Sequence, residues 1–217
     1  MKTRRKALFL VLCAVMLVAA SVLGTMAYLT STDEVKNTFT VGKVAIKLDE
    51  AKTDSDGYGV PDPSAPRVQE NDYKLIPGHK YSKDPMVTVL NGSELSYIRM
   101  IVTVSKADEL DAIFSPDGAS LISIFGGYDS NNWIYKGNVK DEVDNTRIYT
   151  FWYKEMVGAP SADVALDALF DYIAVPGNIT NAQLATIEGM TITVNAHAIQ
   201  ADGFANAAAA WTAFDSP

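Results

Sequence analysis

The sequence predicts an all-β protein built as an antiparallel sandwich, with a few short helices and an N-terminal signal helix in front. The main observation is residues 97–105, where apolar and more polar side chains alternate. The apolar face of this segment carries Ile98, Met100, Val102 and Val104. Alternation with a period of two, rich in β-branched residues, is typical of a half-buried strand. An apolar sheet face needs a second layer against it, so we expect a sandwich around this strand.

Further segments along the chain carry the same strand pattern. They are residues 38–48, 86–91, 132–139, 146–157, 169–175 and 190–200, with 132–139 and 146–157 as a hairpin. Short helices are expected at 106–114, 180–188 and 204–214, the second of them with Thr180 as its N-cap. Strands therefore dominate the predicted architecture.

The first residues have the pattern of an export signal. Lys2, Arg4, Arg5 and Lys6 precede a run, residues 7–32, that has no charged side chain. Thr25 and Ala27 place small side chains at the −3 and −1 positions of a signal-peptidase site, so cleavage after Ala27 would make Tyr28 the new N-terminus. An uncleaved membrane anchor is the alternative, because the uncharged run is also long enough to span a bilayer.

The expected organisation is a signal peptide at 1–27, a leader at 28–41 and one β-sandwich domain at 42–217. The single cysteine, Cys13, lies within the signal, so the exported chain has no disulfide and depends on core burial for its stability. The net charge is −8 and becomes more negative once the signal is removed. This charge argues against nucleic acid or an anionic membrane surface as a partner. Membrane contact is expected only through an uncleaved signal.

Residues 49–72 are rich in acids, glycine and proline, and we expect them to form an exposed acidic loop. Within it, Asp54, Asp56 and Asp62 resemble part of a calcium-binding loop. Tyr58 stands where a third alternating acid is expected, and no glutamate follows at the bidentate position. The alternative interpretation is a solvated hairpin tip. No other cofactor is indicated.

The sequence contains no catalytic motif. His79 and His197 are far apart, no His-Glu-x-x-His pattern exists, and no Gly-x-Ser-x-Gly elbow is present. Both histidines are expected to be structural or solvent-facing. The aromatic residues within 149–153 allow a sugar-binding surface, but alternating aromatics in a sandwich more often pack in the core and pair across strands.

Several short motifs, spread over most of the chain, together resemble one family. They are TMAYLT at 25–30, NTFTVGKV at 37–44, LIPGHKYSKDP at 75–85, and AIQADGF at 198–204 with Ala210 and Trp211. This set is similar to the TasA/camelysin family of Gram-positive bacteria, whose members are exported through a signal peptidase of the SipW type. The resemblance is weakest between residues 106 and 190.

The resemblance implies a jelly-roll β-sandwich at the cell surface or in the biofilm matrix. It also implies that the N-terminus freed by cleavage acts as a donor strand for the next subunit, which gives fibres. An unpaired sheet edge is a template for such strand addition, and main-chain hydrogen bonds supply the affinity. The donor candidates are Tyr28, Leu29, Val35, Phe39 and Val41. A leader that only precedes the first intramolecular strand is the alternative, because residues 30–37 are polar.

The sequence therefore predicts a secreted structural subunit of the cell surface or matrix, which associates with itself or with other matrix subunits. A monomeric adhesin that binds glycans is the first alternative. A metallopeptidase is the second, because some camelysin-like proteins are described as such, but two separate histidines disfavour it.

Overall fold

The structure is a computed structural model of the chain, and it describes residues 6, 11–17, 42–114 and 125–216. The chain divides into two units, Met1–Val41 and Gly42–Pro217. In the first unit, residues 11–17 are helical and their apolar side chains are exposed. None of the helices in the described ranges is long and apolar enough to cross a membrane. The predicted cleavage site and the leader at 28–41 lie outside the described residues.

The second unit consists mainly of strands. The strands are β1 (Ile46–Asp49), β2 (Lys80–Ser82), β3 (Met86–Val89), β4 (Ser93–Ser105), β5 (Phe125–Gly126), β6 (Trp133–Asp141), β7 (Thr146–Tyr153), β8 (Val157–Ala159), β9 (Val164–Ala165), β10 (Tyr172–Ala174) and β11 (Ile192–Gln200). The helices are α1 (Ala107–Ile113), α2 (Asn181–Thr186) and α3 (Ala207–Asp215). The expectation of an antiparallel β protein with a few short helices is confirmed.

The strands form three antiparallel sheets in the part of the chain that the structure describes. The largest has the order β11-β4-β7-β6, with β8 also paired to β4. The others have the orders β1-β3-β9 and β2-β10-β5. The three sheets contribute to one hydrophobic core, as a sandwich requires.

Strand β4 is central to that core, and its predicted face is confirmed. Ile98, Met100, Val102 and Val104 are each at most 1% exposed. Met100 lies opposite Phe151 and Val102 opposite Tyr149 in the β4–β7 ladder. Tyr81, Val87, Phe125 and Phe170, from the other two sheets and the segment before β10, complete the centre of the core.

Element ends differ from the predictions where tertiary contacts decide them. Within the described residues the first strand covers Ile46–Asp49, and Lys43 before it makes a parallel bridge to Ser93. Residues 38–41 of the strand predicted at 38–48 lie outside the described residues. Thr180 is confirmed as an N-cap: its hydroxyl accepts from the Gln183 N–H, and the Gln183 side chain accepts from the Thr180 N–H. The short strands β2, β5 and β9 were not predicted, because two or three residues show too little of a period. Strand β8 begins at Val157, where the strand predicted at 146–157 ends.

Candidate strand-binding groove

Strand β11 lies at one end of the largest sheet, and among the described residues it pairs only with β4. The Ser105 N–H donates to the Thr191 carbonyl (3.0 Å), and the Ala201 N–H donates to the Leu95 carbonyl (2.8 Å). Hydrogen bonding alternates along an antiparallel pair, so the odd-numbered residues of β11 bond β4. The backbone groups that face the free side belong to Ile192, Val194, Ala196 and Ala198.

The two ends of this sheet differ in how well they resist a further strand. Strand β11 has the sequence ITVNAHAIQ, with no proline, glycine or fully charged residue over nine positions. At the other end, β6 carries Lys136, Lys140 and Asp141, and its register shifts between Tyr135 and Gly137. Charges and bulges are the features that protect an edge from pairing. The edge that remains suited to strand addition is therefore β11.

A groove of about 780 Å³ runs beside β11. Residues 189–196 form one wall, and residues 48–50 and 68–75 form much of the other. Apolar side chains that face the core are only partly buried here; they are Leu48, Tyr73, Leu75, Met190, Ile192 and Val194. In the part of the chain that the structure describes, the interior thus opens to solvent along the edge of β11 that pairs with no strand, and an added strand would cover it.

Arg67 fixes the wall opposite β11. Its Nε donates to Asp49 Oδ1 (2.6 Å), its Nη1 to Asp84 Oδ2 (2.8 Å), and its Nη2 to the carbonyls of both aspartates. Burial raises the pKa of Asp49, but hydrogen bonds from Lys47 and Arg67 outweigh it and hold the pKa below its ordinary value. Asp49 therefore stays ionised within this wall at neutral pH.

The segment predicted to be an exposed acidic loop is exposed only in part. Asp49 and Glu50 are 4% and 5% exposed, and Glu50 and Val68 exchange two backbone hydrogen bonds of 2.8 Å. The exposed part lies mainly between residues 54 and 66. The acids at the start of the segment are buried because Arg67 and Lys83 neutralise them, a pairing that composition does not reveal.

The calcium candidates hold a turn together. Asp54 Oδ1 accepts from the Val60 N–H (2.8 Å), and Asp62 Oδ1 accepts from the N–H (3.0 Å) and hydroxyl (2.6 Å) of Ser64. These bonds from Ser64 lower the pKa of Asp62. Asp56 is exposed at the same hairpin tip. Within the described ranges, no three side chains of His, Cys, Asp or Glu group together as metal ligands would.

Both histidines make contacts with neighbouring groups. The ring of His79 packs edge-on against Tyr81, and its Nε2 lies 2.7 Å from the Tyr58 carbonyl oxygen. His197 Nδ1 accepts from Arg99 Nε (3.0 Å). Burial and the nearby guanidinium lower the pKa of His197. These contacts give each histidine a structural role.

The aromatic run on β7 divides between two faces. Tyr149 and Phe151 are fully buried in the core, whereas Trp152 lies on the outer face, where its ring centroid is 6.4 Å from that of Trp211 on α3. This division agrees with the packing interpretation of the run. The predicted cleavage residues and donor candidates lie outside the described residues; they are Ala27, Tyr28, Leu29, Val35, Phe39 and Val41.

No family model, curated protein or solved structure matches this chain. The groove, the unpaired edge of β11 and the N-terminal sequence are therefore the features that bear on function. The groove itself was not predicted, because strand order decides which strand lies at an edge. The absence of charge along residues 192–200 was the one readable signal.

Proposed function

We propose that this protein is a secreted structural subunit of the cell surface or biofilm matrix, of the TasA/camelysin type, with a jelly-roll-like sandwich. Subunits would join when the N-terminal segment of one adds as a strand to the next. The observation that carries the proposal is the uncharged free edge of β11 beside a groove that opens onto apolar core residues. Such an edge supplies main-chain hydrogen bonds, and such a groove supplies side-chain specificity.

The leader has the pattern that this groove requires. In an extended conformation, Val35, Phe39 and Val41 would share one face with Asn37, and Thr38 and Thr40 would fall on the other. The apolar face would cover the partly buried residues of the groove, while the threonines would face solvent. At about 3.3 Å per residue, residues 28–41 extend over about 45 Å, which exceeds the roughly 30 Å length of β11.

Export supplies the free end. The basic residues before position 7, the uncharged run after them and the small residues before Tyr28 support removal of residues 1–27 by a signal peptidase of the SipW type. Cleavage would place Tyr28 at the tip of the donor segment. The partners implied are that peptidase and further copies of this chain or other matrix subunits.

The test compares a chain of residues 28–217 with one of residues 42–217 by electron microscopy and size-exclusion chromatography. Fibres or oligomer ladders from the first and monomers from the second are the expected result. A synthetic peptide of residues 28–41 should bind the shorter chain and should block polymer growth when added to the longer one. A peptide with Phe39 and Val41 replaced by serine is the matched control.

Monomers from both chains, over a range of pH and calcium concentration, would overturn self-assembly and favour the monomeric adhesin. Chelator-sensitive proteolysis would favour the metallopeptidase. The described residues offer that second alternative no cluster of three ligands.

A further inference from the structure

A lysine, a glutamate and an asparagine meet in the wall of the groove. Lys83 Nζ donates to Glu50 Oε2 (2.6 Å), and Asn71 Nδ2 donates to Glu50 Oε1 (2.8 Å). One carboxylate therefore holds an amine and a side-chain amide side by side. Glu50 is 5% exposed and Lys83 8% exposed, so the amine and the carboxylate meet where water is largely excluded, and Asn71 is partly buried beside them.

The amide of Asn71 is held at both of its ends. Its Oδ1 accepts from the Thr53 N–H (2.8 Å) and from the Thr53 hydroxyl (3.1 Å), while its Nδ2 also donates to the Ala51 carbonyl (2.9 Å). Two donors on one carbonyl oxygen stabilise the negative charge that develops there when a nucleophile adds to the carbon. The site thus contains an amine nucleophile, an acid–base group and an activated carbonyl.

We propose that Lys83 and Asn71 form an intramolecular isopeptide bond, with Glu50 as the catalytic acid–base residue. Glu50 takes a proton from Nζ, and the Nζ lone pair adds to Asn71 Cγ while the Thr53 donors hold the oxygen. Glu50 then returns that proton to Nδ2, the Cγ–Nδ2 bond breaks, and ammonia departs. Nζ gives up a second proton, which the ammonia takes as it leaves as ammonium, so the new amide nitrogen keeps one hydrogen. One C–N bond forms and one breaks, so no oxidant, metal or cofactor is needed.

The bond would tie the 68–75 wall of the groove to the connection between β2 and β3. It would give a chain without disulfides one covalent cross-link. A buried ion pair alone contributes little net stability, because desolvation offsets the attraction. The cross-link forms within one subunit, so it does not depend on the proposed assembly.

The test is the intact mass of the purified, folded protein, followed by peptide mapping. We expect a mass lower than the sequence mass by one ammonia, and a branched peptide that joins the residues around 71 to those around 83. Mapping is needed because succinimide formation at Asn91-Gly92 releases ammonia too. A loss of ammonia located there, or an unmodified mass for the folded chain, would overturn the proposal.

Variants separate the roles of the three residues. Lys83→Arg and Glu50→Gln should restore the full mass, and Asn71→Asp should lose water instead of ammonia. Lys140→Arg is the matched control, because Lys140 pairs with Asp108 and Glu142 at the surface, and it should keep the ammonia loss. An ammonia loss that persists in Lys83→Arg would contradict the role of Lys83 as the nucleophile. If a variant does not fold, the peptide map of the wild-type protein still shows whether residues 71 and 83 are joined.

Discussion

The guanidinium of Arg99 holds the carboxylate of Asp215 in a two-pronged ion pair, with nitrogen–oxygen distances of 2.7 and 2.6 Å. Arg99 lies on the outer face of β4, and Asp215 is the last residue of α3. The rings of Trp211 and Phe214 lie 4.4 and 4.9 Å from the guanidinium carbon. The C-terminal helix is thus fastened to the outer face of the sheet around one buried cation.

Arg99→Ala should lower the free energy of unfolding by about 2–4 kcal/mol, because it removes the ion pair and two cation–π contacts at a site where Arg99 is 6% exposed. Asp215→Asn should cost about 1 kcal/mol or less, because the Asp215 side chain is 55% exposed and water screens its charge. Urea unfolding gives both values. The exposed Lys154→Ala is the control, and equal losses for Arg99→Ala and this control would contradict the assigned role.

His197 should make stability depend on pH. Its pKa is lowered from the ordinary value of 6.5 by burial and by Arg99, which Asp215 on α3 offsets only in part. The unfolded chain therefore binds a proton at His197 more readily than the folded chain does. The free energy of unfolding is highest above pH 6.5, and it decreases as the pH falls from there through the lower pKa of His197 in the folded state. Urea midpoints measured from about pH 7 to pH 5 should fall for the wild type and should fall less for His197→Gln. The exposed Lys154→Ala is the control and should keep the wild-type slope.

For the contacts of Arg99 with α3, the sequence predicts the face of the strand on which Arg99 lies, because that depends on local alternation. It does not predict the contact with α3, because the two are far apart in the sequence. Because side chains alternate between the two faces of a strand, Arg99 is predicted to lie on the other face from Ile98 and Met100. That face is the outer face of the sheet. A charged residue on that face is expected to meet solvent, and nothing near it in sequence indicates that α3 returns to cover it. The groove escaped prediction for the same reason: the open edge of β11 depends on the order of strands in the sheet, whereas its lack of charge could be read directly.

Arg67→Ala should loosen the wall of the groove. The change leaves Asp49 buried with only Lys47 as a charged partner and removes four hydrogen bonds, at a cost of about 2–4 kcal/mol. Hydrogen exchange should quicken at the Glu50 and Val68 amides, which bond each other's carbonyls across this segment. The exposed Lys52→Ala is the control. Unchanged exchange at both amides would show that the wall is held by other contacts.

Ala196→Pro should abolish assembly while leaving the subunit folded. The Ala196 N–H faces the free side of β11, so proline removes a hydrogen bond to an incoming strand but none to β4. Asn195→Pro, one residue away, removes a ladder bond to Ile101 and leaves its carbonyl without a partner, so it should cost about 1–3 kcal/mol of stability. Ala196→Ser keeps the N–H and should assemble like the wild type. Fibre yield by electron microscopy, together with urea unfolding, measures both effects. If Ala196→Pro forms fibres as abundantly as Ala196→Ser, then β11 is not the edge that accepts the donor strand.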